Sequence, residues 1–107
     1  MKIDTKLVEL AKKTADKSSC RYRVSAIGLN RYGKIIATAY NRPRLNRLGG
    51  GLHAELEVIR KGGPAVCSII LCRIGNAGKL RIIHPCEFCS RIVSKLGIKI
   101  YTLNLNE

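Results

Sequence analysis

The chain has 107 residues, 46% of them apolar and 25% charged, which is enough for one small packed core and excludes the low-hydrophobicity pattern of a disordered chain. Its 20 Lys and Arg against 7 Asp and Glu leave a formal charge of +13, spread along the whole length, a field that draws polyanions without specifying which one. No apolar run approaches the ~20 residues needed to span a bilayer, and Asp4 and Glu9 interrupt any secretory signal at the N-terminus. We therefore expect one domain over residues 1–107, in the cytoplasm and off the membrane, with its five cysteines reduced.

Ile3, Leu7, Leu10, Ala11 and Ala15 recur at helical spacing and predict an amphipathic helix over residues 3 to 17, ended by Ser18 and Ser19. The runs "RYRVSAIGL" and "GKIIATAY" are rich in β-formers and flank "NRYG", which predicts a hairpin. Residues 41–51, "NRPRLNRLGGG", read as a basic loop. From Leu52 to Lys61 a short helix is predicted, stopped by Gly62, Gly63 and Pro64, with Glu57 facing solvent.

"AVCSIILCRI" is apolar almost without alternation and predicts a strand buried on both faces, as in parallel sheets, with Cys67 and Cys72 as small apolar residues inside it. "GNAG" turns the chain and "KLRII" extends it. "CEFCSRIVSKLG" predicts a helix with Phe88, Ile92, Val93 and Leu96 on one stripe, and "IKIYTLNL" a last strand of undetermined direction. The order of elements predicts one sheet with helices packed on it and a mostly parallel second half.

His53, Cys86 and Cys89 then stand out. Two cysteines three apart at a helix start put both sulfurs on one side of its first turn, where thiolates and hence zinc binding are favoured. Structural zinc sites close with four protein ligands, whereas catalytic sites keep one position for water. Three ligands with Glu55 two residues from the histidine suit the second kind, since a carboxylate in reach of an activated water can carry its proton. Two plainer readings stand beside this one: a dithiol redox pair, and a closed structural zinc that takes His84 as its fourth ligand.

"HAE" at residues 53–55 and "PCEFC" at residues 85–89 match the H-x-E and P-C-x-x-C signature of zinc nucleobase deaminases. The region "YNRPRLNRLGGGLHAELEVIRKGG" also resembles the cytidine, deoxycytidylate and tRNA adenosine deaminase superfamily, with Asn41-Arg42-Pro43 similar to the bacterial tRNA adenosine deaminases. The resemblance implies an α/β fold: a cytidine-deaminase-like three-layer α/β/α sandwich with a mixed sheet of about five strands, from which we expect a departure in a minimal C-terminus. It implies Zn2+ held by His53, Cys86 and Cys89, with Glu55 as the catalytic proton carrier. Asn41 and the Ala54 backbone are the substrate contacts it implies; Arg42 and Arg44, in the basic loop at the entrance, are expected to hold phosphate, and His84 with Pro85, in a stretch "IIHPC" that departs from the family, is expected to face the substrate.

As substrate we expect cytosine, converted to uracil in single-stranded DNA or RNA, a choice tilted by the charge. The alternatives are free deoxycytidylate or cytidine, adenine in RNA, and a nucleic-acid-binding module that keeps zinc only to fold. The small size of the chain and the resemblance point to a homo-oligomer.

Overall fold

The computed structural model describes residues 4–43, 51–83 and 87–103. Helix α1 (Thr5–Asp16) begins where the Asp4 carboxylate accepts the Leu7 N–H at 2.9 Å, and it turns Leu7, Ala11, Thr14 and Ala15 inward at helical spacing. Strands β1 (Arg23–Leu29) and β2 (Ile35–Tyr40) form the expected antiparallel hairpin. Its turn is held by Asn30, whose side-chain oxygen accepts the N–H groups of Tyr32 and Lys34, and by Gly33 at φ +79°.

The loop expected over residues 41–51 contains a short ribbon, in which β3 (Arg42–Pro43) pairs antiparallel with β4 (Gly51–Leu52). Helix α2 (Ala54–Gly62) follows and stops at Gly63, φ +63°, before a single 3-10 turn over Gly63–Ala65. Strand β5 (Ser68–Ile74) is the centre of the sheet, and Ile69, Ile70, Leu71 and Cys72 in it are completely buried.

Burial of β5 on both faces agrees with the sequence reading, but the mostly parallel arrangement does not. Along one edge β5 pairs antiparallel with β1. The other edge is shared: β7 (Lys99–Thr102) runs parallel along Ser68–Leu71, and β6 (Leu80–Arg81) runs antiparallel along Arg73–Ile74. The short turn at Asn76–Gly78 forces this, because a few residues suffice for an antiparallel return and a parallel one needs a crossover. That crossover is helix α3 (Glu87–Lys95), which leads into β7.

Among the described residues these five strands make one mixed sheet, with α1 on one face and α2 and α3 on the other, so the α/β/α sandwich is present as expected. Ile70, Cys72 and Ile74 of β5 pack with α1. Ile69 and Leu71 pack with Ala54 and Val58 of α2 and Val93 of α3. Each of the Ile, Leu and Val side chains among these stabilises the fold by roughly 1.5–3 kcal/mol through burial. Helix α2 approaches β1 so closely at Gly28 that an added Cβ would lie 2.6 Å from Val58 Cγ1.

Two smaller expectations need correction. Cys67 lies one residue before β5 and is exposed, because it stands beyond the strand end, whereas Cys72 lies well inside the strand and is buried. On α3 the inward residues are Cys89 and Val93, whereas Leu96 lies past the helix end and is 56% exposed; the side chain of Phe88 lies outside the described set. Among the described residues no helix is long and apolar enough to cross a membrane.

Candidate metal centre

His53 is the residue that caps the start of α2. Its backbone is extended at φ −74° and ψ 132°, and its side chain makes no capping hydrogen bond, so the imidazole is not consumed by the helix end. The His53 carbonyl accepts the Glu57 N–H at 3.2 Å, which anchors the first turn. Within that turn Ala54 and Glu55 both face inward, and Glu55 is only 4% exposed. Burying a carboxylate is costly unless charges or donors meet it, so its place here is informative.

Cys89 arrives from the other side. It is the third residue of α3 and fully buried, in the first turn, where the helix dipole favours a thiolate. The side-chain donor atoms of His53, Glu55 and Cys89 all lie within 4.8 Å of one another. This is the one cluster of metal-ligating side chains among the described residues. Zinc bonds of about 2.0–2.3 Å to nitrogen and sulfur set tetrahedral ligands roughly 3.5 Å apart, so the imidazole and thiol of this cluster fit the ion. Cys86 lies outside the described residues, as do Arg44, His84 and Pro85.

The surroundings tie the cluster to the hairpin. Asn41 continues β2 by donating its backbone N–H to the Val24 carbonyl at 3.0 Å. Its side-chain oxygen accepts the Val24 N–H at 2.9 Å, and its amide nitrogen donates to the Tyr22 carbonyl at 2.6 Å. The Asn41 carbonyl accepts from Ser18 Oγ at 2.8 Å. Asn41 thus locks the start of β1 beside the ribbon that delivers His53. Arg42, on that ribbon opposite Leu52, forms an ion pair with Glu57 at 3.4 Å and faces the Tyr40 ring at 6.0 Å.

Glu57 is not the solvent-facing residue its charge suggested. Its side chain is 15% exposed and accepts from Arg60 at 2.9 Å, and this hydrogen bond is the largest of the influences holding its carboxyl below the usual range. The sequence reading passed over Arg21, Arg73 and Arg81 and took Tyr22 as a packing residue; the four ring an open cleft of about 610 Å³ at the end of β5, with Tyr22 53% exposed. An arginine inside an otherwise apolar strand was the available signal for it.

The family model of the cytidine and deoxycytidylate deaminase zinc-binding region matches residues 1–104. No curated protein matches the sequence. Among solved structures, the fold is similar to cytidine deaminase from Mycobacterium tuberculosis, with a TM-score of 0.64 at 20% identity over 92% of this chain and 85% of that one. Cytidine deaminase from Mycobacterium leprae gives 0.64 at 18% identity over 88% and 82%. The deoxycytidylate deaminase of cyanophage S-TIM5, solved with dCMP and dUMP, gives 0.55 at 23% identity over 96% and 85%. At these identities the likeness is one of fold, while the family match takes in both halves of the ligand signature. The chain belongs to the cytidine and deoxycytidylate deaminase zinc-binding family.

Proposed function

We propose that the protein is a zinc-dependent hydrolytic deaminase that converts cytosine to uracil, acting on single-stranded DNA or RNA. The observation that carries the reaction class is the meeting of His53, Glu55 and Cys89 within 4.8 Å at the first turns of two helices. His53, Cys89 and Cys86 would hold the ion, which supplies a water acidic enough to lose its proton near neutral pH.

Glu55 takes that proton and passes it to the ring nitrogen, then assists protonation of the amino group. The water oxygen becomes bonded to C4, the C4–N bond breaks, and one ammonia leaves for one water consumed. Burial of Glu55 keeps bulk water from competing for the proton it carries. The Ala54 backbone, Asn41 and Arg42 are the proposed contacts to the base and its sugar-phosphate, together with Arg44, His84 and Pro85. The same reading takes residues 1–107 as one domain working in the cytoplasm as a homo-oligomer.

The net charge of +13 favours a polynucleotide over a single nucleotide. A second reading, deamination of free deoxycytidylate or cytidine, is favoured by the fold likeness to enzymes named for those substrates. Zinc-loaded protein offered cytidine, deoxycytidylate and a cytosine-containing single strand decides between them. Glu55→Gln should retain zinc and lose activity by ~10²- to 10⁴-fold. Zinc-bound wild-type protein that forms uracil from none of the three would refute the proposal.

A further inference from the structure

The cleft at the end of β5 has its own chemistry. Arg73 shares the face of β5 that carries Ile69 and Leu71, the same face on which α2 and α3 lie, and it pairs in register with Arg81 of β6. Like charges directly opposite one another destabilise a sheet. Here no carboxylate offsets them: no residue lining the cleft is acidic, and among the described residues no ion pair involves Arg21, Arg73 or Arg81, Arg73 donating only to the Ile82 carbonyl at 3.4 Å. Arg23 nearby differs, since Asp16 and the Gly75 carbonyl hold it.

The side chains are arranged around one ring. Tyr22 is 53% exposed, with the Arg73 guanidinium 4.3 Å from its centroid and that of Arg21 at 5.7 Å. Arg73 Nε is buried and has no hydrogen-bond partner among the described residues. Arg81 lies across Gly75, where an added Cβ would fall 2.5 Å from its Nε. Three guanidiniums and an exposed aromatic ring in one open groove are what phosphates and unpaired bases recognise together.

The chain links the cleft to the metal centre on both of its flanks. On one, the Tyr22 carbonyl is held by Asn41, whose neighbour Arg42 pairs with Leu52, the residue before His53. On the other, Arg81 and Ile82 lead to Ile83, which packs against the core cluster that includes Ala54 and Val58 of α2. The geometry points to a track for single-stranded nucleic acid through the Arg21, Tyr22, Arg73 and Arg81 cleft, carrying the nucleotides that flank the base entering the metal centre. The assignment rests on the polynucleotide reading of the function. A duplex does not satisfy it, because paired bases have no free face for Tyr22.

The test is direct binding, measured by fluorescence anisotropy on zinc-loaded Glu55→Gln protein, so that no turnover is involved. The probes are single-stranded DNA and RNA of about 15 nucleotides, a length that covers one such site, and the corresponding DNA duplex. The cleft variant is Arg21→Gln with Arg81→Gln, both exposed side chains, and the charge-matched control is Lys13→Gln with Lys34→Gln, also exposed and away from the cleft. Circular dichroism verifies that both are folded.

The cleft pair should weaken single-strand binding at least about tenfold, and lower the slope of log affinity against log salt by about 1.4, or 0.7 for each lost phosphate contact. The control should change both far less, and Tyr22→Leu should weaken binding without changing the slope. Cleft-dependent binding of either strand upholds the track, the tighter one naming the sugar. Equal losses in the cleft and control pairs, no loss in either, or duplex binding as tight as single-strand binding would overturn it. Should the wild type bind strands through the cleft yet form no uracil, the deaminase reading falls and the track stands.

Discussion

Cys72 and Cys89 are both completely buried, one on each face of the same sheet, and their surroundings give them opposite chemistry. Cys72 faces α1 among Leu7, Ala11 and Ile27, and burial pushes its thiol up to about 11, only partly opposed by a hydrogen bond with Ser25. Cys89 stands in the first turn of α3 with an imidazole and a carboxylate within 4.8 Å. A thiol in an apolar setting is an inert filler, and one at a helix start beside a histidine is placed to bind a metal. Depth of burial therefore says little about a cysteine until its neighbours are named.

The sharpest way to test that contrast is to remove each sulfur in turn. Cys89→Ala should weaken zinc binding by more than the ~10- to 100-fold that loss of an outer-shell partner costs, measured by competition with a chromophoric chelator. Cys72→Ala should leave zinc affinity unchanged and lower stability by about 1 kcal/mol in urea. Zinc loss in the second variant would break the comparison.

A smaller effect is expected where the two faces are joined through β1. Gly28→Ala drives a methyl into Val58 of α2 and should cost about 1–3 kcal/mol by urea unfolding. On the other face, Asp4→Ala removes the cap of α1 and should cost about 1 kcal/mol while zinc affinity holds.

The smallest effect concerns pH. The Cys72 thiol is raised from about 9 to about 11 on folding, so the folded chain holds a proton that the unfolded chain releases in that window. Its contribution to stability is full below pH 9 and is lost as pH rises through 11. Unfolding at a series of alkaline pH values should show this decline in the wild type and a shallower one in Cys72→Ala. Near neutral pH, iodoacetamide should modify the exposed Cys67 and spare Cys72.

Much of this was legible in the residues. The hairpin announced itself through β-formers around "NRYG", α2 through its glycine stop, and the candidate metal centre through two short motifs, of which the fold brings His53, Glu55 and Cys89 together. What escaped was tertiary. The β3–β4 ribbon is two residues per strand and has no periodicity to read. The sharing of one β5 edge depends on where β7, distant in sequence, docks beside the local antiparallel return of β6. Glu57 read as solvated because a charge usually is, and only the fold brings Arg42 to it. Arg73 stands in an apolar strand with nothing in the sequence to place it opposite Arg81, a register that only the sheet fixes.

Strand β2 is the outer edge of the sheet, and Lys61 reaches from α2 to donate to the Thr38 carbonyl on it at 3.0 Å. An open strand edge invites uncontrolled self-association, and a lysine laid on it is a common guard. A second copy adding a strand there would have to displace Lys61 and bring two strongly cationic chains together. Colloidal behaviour should follow: the protein stays dispersed at low salt, and precipitation on adding polyanions reports neutralisation of charge and not fibre growth from β2.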